Sequence, residues 1–263
     1  MRLDAAYDNR AHVPGSERFP PAWEKAAAAF RKAVGARCEK AVPYGPSERQ
    51  VYDFFQPEGV PRGTVMFVHG GYWKAFDNRS WSHLAAGPLA RGWAVAIPSY
   101  DLCPDVRLSE IAAQIARALS HVAARTQGPM ALAGHSAGGH LVARIMDPIL
   151  LASDVRDRVA QIVPISPLSN LGPLRETSMN EILQIDEAEA LSESPVNMPP
   201  PHGVDVTVWV GAEELPALVE QAQELGRAWG AKVVLAEGLH HFDVIDALAD
   251  PDSDMVRALL GIR

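Results

Sequence analysis

The chain has 263 residues, 48% of them hydrophobic and 21% charged, and a formal net charge of −8. This size and apolar content predict one globular domain, residues 1–263, that buries about three quarters of its unfolded surface. The negative charge argues against nucleic acid and anionic membranes as partners. The two cysteines, Cys38 and Cys103, exclude a disulfide framework and a cysteine-based zinc site.

The chain contains no run of 18 apolar residues, and its first residues lack the apolar stretch of a secretory signal. We therefore expect neither a transmembrane helix nor export, and a reducing cytoplasm is the expected location. The sequence leaves both monomer and homodimer open.

Strand and helix patterns alternate along most of the chain after a polar first 20 residues, which we expect to form an arm over the surface. The predicted elements are helix 21–34, strands 37–43, 49–56 and 64–68, helix 80–90, strand 93–97, helix 109–124, strand 129–133, helix 137–147, strand 159–165, strand 205–210, helix 216–229, strand 231–236 and helix 243–260. The first two strands suggest an antiparallel start. The later alternation predicts an α/β fold with a mostly parallel twisted sheet and helices on both faces.

Segment 167–202 interrupts this rhythm with repeated prolines. We expect it to form a small lid over a site rather than a second domain. Met179, Ile182, Leu183 and Ile185 in this segment either line the pocket or belong to a merely structural helix.

Residues 134–138 read Gly-His-Ser-Ala-Gly between the predicted strand 129–133 and helix 137–147. This is the G-x-S-x-G pattern of a nucleophile elbow, in which the turn raises the serine and glycines are needed where a side chain would collide. The pattern makes Ser136 the candidate nucleophile, and the start of the following helix directs partial positive charge toward it. We expect His135 and His140 to be structural, because flanking positions on an elbow point elsewhere.

Residues 69–73 read His-Gly-Gly-Tyr-Trp directly after the apolar strand 64–68. Glycines at a strand end can present free backbone N–H groups, which is what an oxyanion hole requires. His69 is expected to organise this loop rather than to act as a base. Tyr72 and Trp73 are either packing residues or an aromatic wall beside the acyl or leaving group.

A serine nucleophile needs a base and an acid that orients it, in the chain order serine, acid, histidine for this kind of fold. The candidates are Glu213 or Glu214, after strand 205–210, and His240 or His241, after strand 231–236. Both pairs follow strand ends, where ligands bind in open α/β sheets. The local pattern leaves the choice within each pair open.

Together, residues 69–73, 134–140 and 241–245 resemble the arylformamidases (kynurenine formamidases) and their esterase-like bacterial relatives in the α/β-hydrolase family. Further points of resemblance are Tyr7-Asp8-Asn9, Ser194-Pro195 and the Glu-x-Pro-x-x-x-x-Gln run from Glu214 to Gln221. The resemblance implies Ser136 as nucleophile, His241 as base and Glu214 as acid, with amides near Gly70, Gly71 and Ala137 as the oxyanion hole. One departure is Glu214, because eukaryotic arylformamidases usually have aspartate there.

The sequence therefore predicts a serine hydrolase without metal or organic cofactor that acts on a small-molecule ester or amide. The resemblance implies a small acyl group, formyl in the best case, on an aromatic amine. The alternatives are a carboxylesterase for short-chain esters and, in another class, a non-catalytic small-molecule binding protein on the same scaffold.

Overall fold

A computed structural model describes residues 3–262, so Met1, Arg2 and Arg263 lie outside the described part. Its strands are β1 Cys38–Pro43, β2 Val51–Phe55, β3 Thr64–Val68, β4 Ala94–Pro98, β5 Met130–His135, β6 Val159–Ile165, β7 Asp205–Gly211 and β8 Lys232–Ala236. The α-helices are α1 Asp4–Tyr7, α2 Asn9–His12, α3 Phe19–Val34, α4 Ala86–Ala90, α5 Leu108–Arg125, α6 Ala137–Arg144, α7 Ser153–Arg156, α8 Asn180–Leu183, α9 Glu187–Ser192, α10 Pro216–Trp229 and α11 Asp254–Leu260.

The eight strands form one sheet in the order β1-β2-β4-β3-β5-β6-β7-β8. Strand β2 pairs antiparallel with β1 and with β4, whereas the pairings from β4 through β3 to β8 are parallel. The predicted antiparallel start and mostly parallel sheet are therefore confirmed. Parallel pairing brings the carboxyl ends of β3, β5, β6, β7 and β8 to one edge of the sheet.

Helices cover both faces of the sheet, and alternate residues of β3 pack against the two helical layers. Met66 and Val68 pack into the apolar cluster that contains α5 and α6 residues. Val65 and Phe67 pack into the cluster on the opposite face, with residues of α3 and α11. Because successive strand residues point to opposite faces, a continuous apolar run such as 64–68 is needed to fill both layers.

Three predicted elements differ from the structure. Helix 80–90 is instead two 3₁₀ turns, Asn78–Ser80 and Ser82–Ala85, followed by α4, because the backbone leaves helical geometry at Trp81 (φ −122°, ψ 2°). Helix 243–260 is divided into a 3₁₀ turn, Val244–Ala249, and α11. Pro251 disfavours a helical conformation at the preceding residue, and Asp250 is extended.

The third difference is the N-terminal segment, which was predicted as a polar arm over the surface and is instead folded into short helices with buried side chains. It consists of α1, α2 and a 3₁₀ turn at Ser16–Arg18, and Tyr7, Asn9 and Val13 are buried. In residues 3–262, no helix is both long and apolar enough to cross a membrane.

Candidate active site

Ser136 occupies the sharp turn between β5 and α6, with φ 57° and ψ −117°. Such a conformation is costly for a residue with a side chain and is typical of functional turns that the surrounding structure holds in place. The flanking glycines are required: a β-carbon at Gly134 would lie 2.1 Å from the carbonyl oxygen of Gly138. Ser136 is thus raised at the carboxyl edge of the sheet, where it borders a cavity.

Glu214 and His241 form a buried pair beyond the ends of β7 and β8. Nδ1 of His241 lies 2.7 Å from Oε2 of Glu214. Oε1 of Glu214 accepts hydrogen bonds from the Ser166 hydroxyl at 2.5 Å and the Gly211 amide at 2.8 Å. Burial opposes the charge on Glu214, but His241 and these hydrogen bonds outweigh it and lower the pKa of the carboxyl. The carboxylate is therefore ionised and orients the imidazole.

The neighbouring residues Glu213 and His240 are not brought together with this pair. The side chain of Glu213 is exposed, and its backbone amide donates to the carbonyl of Leu239 at 2.9 Å. Nδ1 of His240 lies 3.0 Å from Asp243 Oδ1, and its ring meets Phe19 edge-on. Of the alternatives that the local sequence left open, the geometry favours Glu214 and His241.

The loop after β3 lies against Ser136. A β-carbon at Gly70 would lie 2.9 Å from the backbone carbonyl oxygen of His135 and 3.0 Å from Cβ of Ser136, so a side chain at residue 70 would displace the loop from the elbow. Within residues 3–262, no protein acceptor receives the amides of Gly70, Gly71 and Ala137. Ala137 is the first residue of α6, where an unpaired N–H is expected. These amides are free to bind an anionic oxygen.

Three further histidines are buried near the site. His69 donates from Nδ1 to the Gly70 carbonyl at 2.8 Å and stacks on Tyr100, and burial lowers its pKa to about 4. His140 donates to the Glu193 carbonyl at 2.7 Å, and burial lowers its pKa to about 3. The ring centre of His135 lies 4.5 Å from that of His241. Burial and the charge of His241 hold the pKa of His135 well below the ordinary value.

The cavity beside Ser136 has a volume of about 880 Å³. Its lining combines aromatic residues with polar residues from the N-terminal segment, residues 4–18. The aromatic residues are Trp23, Tyr72, Phe76, Trp81 and Phe242, and the polar residues of the N-terminal segment include Asp8, Asn9, Arg10 and Glu17.

The structure brings only part of the predicted lining to this cavity. Tyr72 borders it, but Trp73 is fully buried and meets His140 edge-on at 5.0 Å. From segment 167–202, Met179 and Ile182 line the cavity, whereas Leu183 and Ile185 belong to the core.

Sequence reasoning missed two contributors. The first is Ser166, whose hydroxyl donates a hydrogen bond to Glu214. Its position directly after β6, at the same edge of the sheet, could have identified it from the sequence. The second is the N-terminal segment, which lines the cavity, and its one signal in the sequence was the resemblance at Tyr7-Asp8-Asn9. No group of three histidine, cysteine or acidic side chains in residues 3–262 is arranged to hold a metal ion.

Residues 65–198 match a family model described as the α/β hydrolase fold. Kynurenine formamidase of Drosophila melanogaster is 32% identical over 82% of this chain and 78% of its own length. The kynurenine formamidase of Salmo salar is 27% identical over 83% of this chain and 80% of its own length.

Among solved structures, a protein from Silicibacter sp. TM1040 with a provisional thioesterase assignment is 52% identical, with a TM-score of 0.97 over 99% of both chains. An esterase of Pyrobaculum calidifontis shares the fold at 20% identity, with a TM-score of 0.68 over 93% of this chain and 91% of its own. The chain therefore belongs to the α/β-hydrolase family. Within that family it is an arylformamidase-like hydrolase.

Proposed function

We propose that the protein is a serine hydrolase that removes a small acyl group, best formyl, from an aromatic amine or alcohol through Ser136, His241 and Glu214. The observation that carries this proposal is the 2.7 Å contact between His241 and the ionised Glu214 at the sheet edge that bears Ser136. An anionic partner on Nδ1 fixes the imidazole tautomer so that Nε2 is the basic nitrogen.

In the proposed reaction, His241 takes the proton of Ser136 as Oγ attacks the substrate carbonyl. Amides of Gly70, Gly71 and Ala137 bind the oxyanion of the tetrahedral intermediate. His241 then protonates the leaving amine or alcohol, and water repeats the sequence on the acyl-enzyme. No step requires a metal or an organic cofactor.

The cavity lining supports a flat leaving group. Trp23, Phe76 and Phe242 provide apolar ring surface, on which an aryl group can be buried. A β-carbon at Gly70 would lie 3.0 Å from Cβ of Ser136, so the loop after β3 abuts the nucleophile, and we infer a narrow acyl side. An added methyl group in a tight pocket costs about 1–3 kcal/mol, or roughly 5- to 160-fold in rate. The relationship to kynurenine formamidases makes N-formylkynurenine the first substrate to test.

A substrate panel tests this proposal. It contains aryl formamides including N-formylkynurenine, the matching acetamides, p-nitrophenyl acetate, medium-chain alkyl esters and an acyl thioester. The thioester is included because of the 52% identical relative with a thioesterase assignment. We expect aryl formamides to exceed the matching acetamides and p-nitrophenyl acetate to be cleaved as well. Faster cleavage of medium-chain esters or of the thioester than of any aryl formamide would contradict the formyl preference.

Labelling by a fluorophosphonate separates the hydrolase from a non-catalytic binding protein. The wild type should react at Ser136, because the probe requires an activated serine. Absence of both labelling and turnover would contradict the serine mechanism as a whole.

A further inference from the structure

The loop that follows His69 has an unusual backbone at three successive residues. Gly71, Tyr72 and Trp73 have φ values of 116°, 49° and 53°. The last two are not glycine, and a non-glycine residue keeps this conformation only where its surroundings hold it. The contacts of the two aromatic side chains therefore bear on where the amides of Gly70 and Gly71 lie.

Among the described residues 3–262, the Tyr72 side chain makes one hydrogen bond, and its partner belongs to the N-terminal segment. Its hydroxyl donates to the backbone carbonyl of Tyr7 at 2.8 Å. Burial raises the pKa of Tyr72, and the neighbouring Tyr7 raises it further, so the hydroxyl stays protonated and remains a donor. The donor is thus engaged with the N-terminal segment, residues 4–18.

Tyr7 is itself held from the other side. Its side chain is buried, and its hydroxyl accepts a hydrogen bond from Nε2 of Gln221 at 3.2 Å. Gln221 lies on α10, which begins two residues after Glu214. The same Gln221 Nε2 donates to the Asn170 carbonyl at 2.8 Å, so it is fixed in turn. Tyr7 therefore connects the loop beside Ser136 to the helix that follows the candidate acid.

A second contact ties the N-terminal segment to the acid-bearing turn. Nε2 of His12 donates to the Glu213 carbonyl at 2.9 Å. The segment thus contacts both the Gly70-Gly71 loop and the turn that carries Glu214. Its docking constrains the distance between these two parts of the site.

We propose that Tyr72 is a positioning residue: through its hydrogen bond to Tyr7, it uses the docked N-terminal segment to hold the Gly70 and Gly71 amides against Ser136. This inference rests on the proposed function for the role of those amides. It assigns the N-terminal segment a part in the chemistry beyond lining the cavity. The Tyr72 ring still borders the cavity, but its hydroxyl acts on the loop rather than on substrate.

Tyr72→Phe tests the inference, with Tyr44→Phe as a matched control. Tyr44 is buried, whereas Tyr72 is half-buried, and the Tyr44 hydroxyl donates to the Ser99 carbonyl at 2.6 Å, outside the cavity lining. Both substitutions remove one hydroxyl and leave one carbonyl unpaired, so they should destabilise the fold similarly. Loss of a whole oxyanion-hole donor costs about 10²- to 10³-fold in kcat, so a loosened loop should cost roughly 10- to 100-fold. We expect that fall in kcat for Tyr72→Phe with KM within about threefold, and near-normal kcat for Tyr44→Phe.

Tyr7→Phe provides a second variant on the same connection. It removes the Gln221 contact but keeps the carbonyl that accepts from Tyr72, so its effect on kcat should be smaller. Because the two hydrogen bonds act in series, the double variant should lose less than the product of the single losses. Multiplicative losses would overturn the coupling through Tyr7.

Amide hydrogen exchange of a peptide covering residues 69–76 measures the mobility of the loop independently of enzymatic turnover. Exchange should be faster in Tyr72→Phe than in wild type, and unchanged there in Tyr44→Phe. If the two variants behave alike in exchange and in kcat, the positioning role is wrong. If exchange separates them while the wild type cleaves none of the substrate panel, the loop-holding role stands and the proposed hydrolysis fails.

Discussion

Gly138 faces the backbone carbonyl of Val68 so closely that a β-carbon at Gly138 would lie 2.0 Å from that oxygen. Val68 ends β3, and Gly138 is the second residue of α6. This close approach brings the turn that carries Ser136 next to the loop that begins at His69. The distance between the candidate nucleophile and the candidate oxyanion amides therefore depends on the absence of a side chain at residue 138.

Gly138→Ala should accordingly destabilise the fold and abolish most turnover. The obstructing atom is backbone, which cannot rotate away, so we expect a loss of roughly 3 kcal/mol or more in the free energy of unfolding. Urea denaturation and turnover of p-nitrophenyl acetate measure the two effects. Gly172→Ala is the control, because its nearest neighbour is the Asn170 side chain at 3.2 Å and it has no left-handed backbone. Equal stability of the two variants would contradict the packing argument.

Ser136→Ala should remove nearly all activity while leaving the fold intact. In a well-studied serine protease, loss of the nucleophile costs about 10⁶-fold in kcat. The fluorophosphonate should no longer label the protein. Ser120→Ala, on the α5 helix, removes a hydroxyl that donates to the Ala116 carbonyl within the same helix, and it should leave both readouts unchanged. Retention of more than about a tenth of the activity in Ser136→Ala would assign the chemistry to another residue.

Glu214→Gln should be far more damaging than Glu213→Gln. Glu214 is buried and ionised beside His241, whereas the Glu213 side chain is exposed. A neutral amide stabilises the imidazolium poorly and can present its N–H₂ to Nδ1, so kcat should fall by about 10²- to 10⁴-fold. Glu213→Gln should remain within about twofold of the wild type. A larger loss in Glu213→Gln than in Glu214→Gln would mean that the acid has been assigned one residue too late.

Stability should fall as the solution becomes acidic, because several histidines are buried in the neutral form. Burial lowers the pKa of His69 and of His83 to about 4, against an ordinary value of 6.5. Between these values the unfolded chain binds protons that the folded chain excludes. The contribution of these histidines to the free energy of unfolding is therefore complete above pH 6.5. It is lost as pH falls toward 4, by up to about 1.4 kcal/mol per pH unit for each histidine.

His83→Leu isolates one contribution to this pH dependence. Nδ1 of His83 is buried and has no hydrogen-bond partner among residues 3–262, so the substitution removes a titrating group without breaking a bond from that nitrogen. The free energy of unfolding should then decline less steeply between pH 6.5 and 4 than in the wild type. Urea denaturation at intervals of half a pH unit measures both slopes. Parallel curves for the two proteins would exclude His83 as a source of the acid sensitivity.

The local sequence was sufficient for the sheet and for the turn that carries Ser136. Strand 159–165 and helix 216–229 have the predicted bounds. Their apolar residues are spaced as a buried strand and an amphipathic helix require, so the local pattern was enough to locate both. The G-x-S-x-G pattern identified the elbow, since its glycines are required wherever such a turn packs against a neighbouring strand. Helix 243–260 was predicted too long because apolar spacing outweighed the signal of Pro251.

Tertiary structure decided what adjacent residues do at the strand ends. Local pattern could not separate Glu214 from Glu213 or His241 from His240, because neighbours after a strand differ only in the direction that the turn gives them. That direction depends on long-range hydrogen bonds, such as Glu213 to Leu239 and Ser166 to Glu214. The burial of Trp73 and the hydrogen bond from Tyr72 to the Tyr7 carbonyl likewise depend on segments far apart in the chain. The sequence by itself therefore determined which chemistry-bearing residue types stand at the ends of strands, and the packing between distant segments decided which of them face one another.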